Sequence, residues 1–148
     1  RCYCGYCGAK KERFFGWRLH LICTPDGIPV AFDVRPAAEH DLTPIHELTA
    51  NLPAGSTVFG DKGYISEPDA KTILHDTSVR LVSIRRNNMA PNRWIDDFEM
   101  REYRHRIETV YSQLHAMSIQ SLHARTNHGF DLKTWASLVV LVFTNLID

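Results

Sequence analysis

The chain has 148 residues, a mass of 17.0 kDa, 44% apolar and 23% charged residues, and a formal net charge of zero. That size suits one domain with a single core, and the neutral balance excludes binding to nucleic acid through overall charge alone. The longest apolar stretch, Trp135 to Ile147, includes Ser137, Thr144 and Asn145, so no membrane span is expected.

Residues 1–10 are cysteine-rich and basic, without the apolar core of a cleavable signal, and a cytoplasmic protein is expected. The first residue is Arg rather than Met, which reads as a piece of a longer chain. Cys2, Cys4 and Cys7 have the spacing C-x-C-x2-C, but no second cluster follows at zinc-finger distance. His20 and Cys23, the nearby candidates, fall in an expected strand, so the cysteines read as reduced thiols.

In chain order, residues 14–24 alternate Trp17, Leu19, Leu21 and Cys23 with Arg18, His20 and Ile22, a strand pattern. Pro25-Asp26-Gly27 is a turn signal, and residues 28–34 form the second strand of a hairpin ended by Pro36. Asp41 is placed to cap a helix over 42–51, stopped by Pro53 and Gly55. Residues 56–61 make a short apolar strand. Ser66 then caps a helix running to about His75, with Glu67, Pro68 and Asp69 in its first turn. Residues 79–84 are a compact strand, and 85–97 a polar, basic loop. From Phe98 to about Met117, Tyr103, Ile107, Val110, Tyr111 and Leu114 recur at helical spacing. An extended link at 118–124 and a loop at 126–129 precede a helix from about Asp131 to Ile147, apolar nearly all round as a core helix would be. Strands alternating with helices indicate an α/β fold with a partly parallel sheet and no domain boundary.

Two acidic residues stand out. Asp61, in VFGDKGY, lies at the carboxyl end of an expected strand, where open α/β sheets place their ligands. Gly60 and Gly63 beside it permit close backbone approach or unusual dihedrals, although Asp is also an ordinary turn residue. Glu108 shares a helix face with Arg101, Arg104, Ser112 and His115, at the edge of the apolar stripe. From there it is placed to reach over a sheet edge, or to form an ordinary exposed pair with Arg104. Between the last strand and this helix cluster Arg80, Arg85, Arg86, Arg93, Arg101, Arg104 and Arg106. Arginine's planar fork suits phosphate, which makes this a candidate DNA surface. Lys62 is placed to touch the scissile strand and Trp94 to stack on an exposed base. The alternative is a solvated face in which these arginines pair with Asp96, Asp97, Glu99 and Glu102.

The segments GDKGY (60–64) and RHRIETVYSQL (104–114), with the basic loop between them, resemble the DDE transposases of bacterial insertion sequences. The likeness is closest to the IS982 group within the wider IS4-like set, and residues 5–45 fit the same family upstream. The resemblance implies an RNase H-like mixed sheet flanked by helices, here lacking its first strand. It also implies three carboxylates that hold two Mg2+ (or Mn2+) ions for cleavage at transposon ends and strand transfer. The implied partner is double-stranded DNA, both transposon ends and target, with a homodimer in the intact enzyme and no membrane. Asp61 matches the family's second aspartate, and Glu108, with Arg104 four residues before it, the glutamate.

The IS4 pattern has a tyrosine three before that arginine and a lysine seven after the glutamate, where this chain has Arg101 and His115. None of Asp26, Asp33 and Asp41 suits the first aspartate, which is expected upstream. On that reading residues 1–148 are an amino-terminally truncated catalytic domain, inactive by itself. The rival readings are a non-catalytic DNA-binding remnant and another RNase H-like nuclease without strand transfer. No histidine base is needed by a two-metal site, and most of the eight histidines are expected at the surface.

Overall fold

The computed structural model describes residues 3–7, 11–86, 88–90 and 97–147. The chain is mixed α/β and forms two compact units. The first comprises Arg1–Ile22 and Ala31–Asp96, the second Cys23–Val30 and Asp97–Asp148.

In the first unit, β1 (Cys4–Cys7) and β2 (Glu12–Phe15) pair antiparallel, with Cys4 opposite Phe15 and Cys7 opposite Glu12. The single strand expected over 14–24 is therefore two. Gly16 divides them at φ 154°, a dihedral that side chains disfavour, and its N–H donates to the Tyr3 carbonyl at 2.8 Å. β3 (Trp17–Cys23) then pairs with β4 (Pro29–Pro36) as the expected hairpin. Its tip is closed by Thr24 N–H to Ile28 and Gly27 N–H to Thr24, both at 2.9 Å.

Helix α1 (Ile45–Ala50) starts later than Asp41 would have it. Pro44 occupies the capping position and makes no side-chain cap bond. The turn before it is closed by Thr43 N–H to His40 at 2.9 Å, while the Asp41 carboxylate is taken by the Arg18 guanidinium. Asp41 is thus an ion-pair partner rather than a helix cap.

β5 (Thr57–Gly60) and β6 (Arg80–Ser83) pair in parallel, with Thr57 opposite Arg80 and Gly60 opposite Ser83. Helix α2 (Glu67–Thr77) makes the crossover between them, as parallel neighbours require. Ser66 caps it as expected, its hydroxyl accepting from Asp69 N–H. Ser78 ends it at φ 58°. Around this crossover Ile45, Val58, Ile73, Val79 and Leu81 form a buried cluster, with Ile22, Leu42, Leu52, Tyr64 and Ala70 packed against it. Full burial of each large aliphatic side chain stabilises by about 1.5–3 kcal/mol.

One mixed sheet was expected. Among the described residues the strands instead pair only in twos: β1–β2, β3–β4 and β5–β6. β3 meets the β5–β6 layer through side chains, Ile22 in the core and His20 against Tyr64, not through a backbone ladder.

The second unit holds helices α3 (Asp97–Ala116) and α4 (Asn127–Ile147). α3 buries Met100, Val110 and Leu114, and α4 buries Thr134, Leu138 and Leu141, each at helical spacing. Gln113 Nε2 donates to Asn145 Oδ1 at 3.0 Å, and Asn145 Nδ2 donates to the Gly27 carbonyl at 2.9 Å.

Residues 119–121 form a short 3₁₀ turn rather than an extended link. α4 differs from expectation in two ways. It begins at Asn127, not Asp131, and it is not buried all round: Trp135, Phe143 and Ile147 are exposed. At 21 residues it is also, by length and composition alone, long and apolar enough to cross a membrane. The expectation that no stretch reaches that length is therefore corrected, because the apolar run continues upstream through Phe130 and Leu132 past only two charges.

Candidate active site

Strand β5 delivers Asp61 to the end of the parallel pair. The ladder finishes with Ile84 N–H donating to the Gly60 carbonyl at 2.9 Å. Asp61 then opens a 3₁₀ turn over Lys62–Tyr64, its carboxylate accepting from Lys62 N–H at 2.6 Å. Tyr64 N–H closes the turn on the Asp61 carbonyl at 2.9 Å. Asp61 is a turn residue, as its type suggested, and its carboxylate is also exposed at the strand's carboxyl end beside exposed Lys62.

The two flanking glycines serve close approach, not unusual dihedrals, since neither has a positive φ. A Cβ on Gly60 would lie 3.1 Å from the Tyr64 Cβ, and one on Gly63 would lie 2.5 Å from Asp41 Oδ2.

Behind this turn sits a buried polar network that the sequence reading passed over. The Tyr64 hydroxyl and His20 Nδ1 are 2.8 Å apart, and His20 is only 2% exposed. The Tyr64 carbonyl accepts from the Ser83 hydroxyl at 2.8 Å. Burial, above all, pushes the Tyr64 hydroxyl up to about 12, with Asp41 and Asp61 adding to it. Burial likewise holds the His20 imidazole below its ordinary value, partly offset by Asp41. His20 Nε2 is buried with no hydrogen-bond partner among the described residues. The other seven histidines are exposed, as expected. His20 shares its strand face with Ile22, which packs against the core cluster.

Asp26 lies in the hairpin turn, Asp33 pairs with Arg35 at 2.6 Å, and Asp41 pairs with Arg18.

Glu108 belongs to the second unit, in the middle of α3. Its side chain is 58% exposed and accepts from Arg104 Nε at 3.0 Å, an i,i+4 pair. Such pairs are worth about 0.2–0.5 kcal/mol. Arg101, Ser112 and His115 are exposed on the same helix, as their spacing required.

Two exposed carboxylates are hard oxygen donors of the kind Mg2+ and Mn2+ prefer. Among the described residues no group of three or more His, Cys, Asp or Glu side chains is placed to hold a metal ion. Arg85 and Arg86 follow β6, half-buried and exposed respectively, where Met89 N–H closes a turn on the Arg86 carbonyl at 2.9 Å. Neither guanidinium has an ion-pair partner among the described residues. Trp94, Arg93 and Asp96 lie outside the described residues, as does Cys2, while Cys4 is free and exposed.

The chain matches the transposase DDE domain family over residues 3–143, and it belongs to that family. The match spans both acidic motifs and ties the molecule to transposition and to phosphoryl transfer on nucleic acid. No curated protein and no solved structure matches the chain.

Proposed function

We propose that the chain is the catalytic domain of an insertion-sequence transposase of the IS982 type, with an RNase H-like core. On this reading Asp61 and Glu108 are two of its three metal-holding carboxylates. The observation that carries the reading is the placement of Asp61: exposed, at the carboxyl end of a parallel strand, inside a family match that also includes Glu108. Strand ends of this kind are where α/β folds gather their ligands.

When bound, Mg2+ or Mn2+ supplies Lewis-acid stabilisation to the attacking and leaving oxygens of phosphoryl transfer. The chain's own residues do the rest. Asp61 and Glu108 present hard oxygens, and the Lys62 backbone N–H orients the Asp61 carboxylate. Arg85 and Arg86 neutralise DNA phosphates next to the strand end, which positions the duplex without reading its sequence. Arg104 holds Glu108 until ligand competes for it. Asp33 and Asp41 are engaged by Arg35 and Arg18 and Asp26 lies in the hairpin turn, and this reading assigns the third carboxylate to none of them.

The test uses the full reading frame that contains these residues, assayed on DNA bearing transposon ends. Asp61→Ala and Glu108→Ala should each lower metal-dependent strand cleavage by about 10³-fold or more while DNA affinity stays within about 3-fold, as for groups acting only on the transition state. Cleavage unchanged by both substitutions would reject the site. Cleavage without joining of the 3′ end identifies a nuclease instead, and binding without cleavage in the unsubstituted protein identifies a DNA-binding remnant.

A further inference from the structure

We infer that Tyr64, clamped by His20, is a positioning residue that sets the orientation of the Asp61 carboxylate; this rests on the reading of Asp61 as a metal-holding group. A carboxylate that holds a metal must be fixed in direction as well as in place, because Mg2+ tolerates little departure from octahedral geometry. Asp61 is exposed, and among the described residues its carboxylate accepts one hydrogen bond, from the next residue's N–H. Its direction therefore depends on how rigidly the turn behind it is held.

Tyr64 holds that turn at four points. Its N–H binds the Asp61 carbonyl at 2.9 Å, its carbonyl accepts from Ser83 at 2.8 Å, its hydroxyl meets His20 at 2.8 Å, and its Cβ packs against Gly60. The first two contacts are local to the β5–β6 layer. Of these four contacts the hydroxyl's is the one that reaches outside the β5–β6 layer, to strand β3, and it does so on an imidazole that is itself 2% exposed. The rings meet edge-on at 85°. Beside them, Asp41 packs against Gly63 so closely that a Cβ there would be 2.5 Å from its carboxylate, and Arg18 fixes Asp41 in turn.

His20 and Tyr64 touch neither DNA nor metal on this account; they act through the turn. Outer partners of metal-holding side chains typically alter affinity by about 10- to 100-fold when removed. The lower end is expected here, since three further contacts of Tyr64 survive.

The test compares ¹⁵N-labelled chain with Tyr64→Phe, His20→Leu and the double variant. Tyr64→Phe keeps the ring and loses only the hydroxyl, so the core stays filled. Two readouts are taken: the Lys62 amide, which reports its bond to the Asp61 carboxylate, and broadening of the Asp61 to Gly63 signals by Mn2+. Paramagnetic broadening detects even the weak binding that two carboxylates give.

Either single variant should shift and broaden the Lys62 amide and weaken Mn2+ binding about 10-fold. The double variant should be no worse than the singles, because both delete one interaction. A Lys62 amide and Mn2+ titration unchanged in Tyr64→Phe would overturn the inference, whatever the melting temperature does. If the unsubstituted chain shows no Mn2+ effect at Asp61, the metal reading fails. The clamp is then decided by the Lys62 amide alone.

Discussion

A histidine in the interior of a strand has to be neutral or paired, and His20 is kept neutral by burial. Asp41 and Asp33 favour its charged form, but Arg18 and Arg35 oppose it, and desolvation outweighs them all. The consequence for stability has a definite sign. The unfolded chain takes up this proton near the ordinary value of 6.5, whereas the folded chain resists it to lower pH. Between those points the unfolded state binds more protons, so stability falls as pH drops below about 6.5 and levels off once the folded histidine titrates. Urea midpoints measured from about pH 8 to about pH 5 should decline in the wild type. In His20→Leu they should be lower everywhere, because the Tyr64 hydroxyl loses its partner, but this histidine's share of the decline should vanish. Parallel pH profiles for the two proteins would show that His20 does not carry it. In the sequence His20 looked like the polar half of an alternating strand. Its burial was hidden because β3 is half-covered on both faces, so the period alone does not say which side is inside.

At the scale of elements, local chemistry was legible wherever it needed only neighbours in sequence. The Ser66 cap is an example. Its hydroxyl accepts from Asp69 N–H at 3.3 Å and also donates to the Asp69 carboxylate. That bond and the contact of Asp69 with His46 hold the Asp69 carboxyl below its ordinary range. Ser66→Ala should therefore lower stability by about 1 kcal/mol, as loss of a helix cap does, read as an earlier urea midpoint with an unchanged slope. An unmoved midpoint would mean that water replaces the hydroxyl without loss.

The Pro25-Asp26-Gly27 hairpin and the strand ending at Gly60 were equally readable. Misreadings came where a nearby residue was claimed by a distant one. Asp41 has the right chemistry to start a helix, but Arg18, on another strand, takes its carboxylate, and Pro44 starts α1 instead. The last helix misled for a different reason. An apolar composition says that a helix avoids water, not which of its faces finds a partner, and only the stripe of Thr134, Leu138 and Leu141 is buried.

For the whole molecule, the two acidic motifs were visible because each is a short local pattern, whereas their common membership of a family rests on nearly the entire length, residues 3–143. Pairing Asp61 with Glu108 is a long-range statement that no local spacing contains. It remains part of the functional proposal. Net charge is equally uninformative at this scale: it is zero, and yet Arg85 and Arg86 stand together just past the strand that pairs with β5.

If that corner holds DNA, its contribution is set by released counterions and so must depend on salt. Each phosphate contact on duplex DNA contributes about 0.9 to the slope of log affinity against log salt. Replacing both Arg85 and Arg86 with Ala should lower the magnitude of that slope by about 2, and should weaken binding to unrelated sequences by the same factor. The measurement is fluorescence anisotropy of a labelled duplex in a salt series, with both proteins at matched concentration. A slope unchanged by the double substitution would place the DNA elsewhere on the molecule. A slope lowered for transposon ends alone would mean that these arginines read bases rather than phosphates.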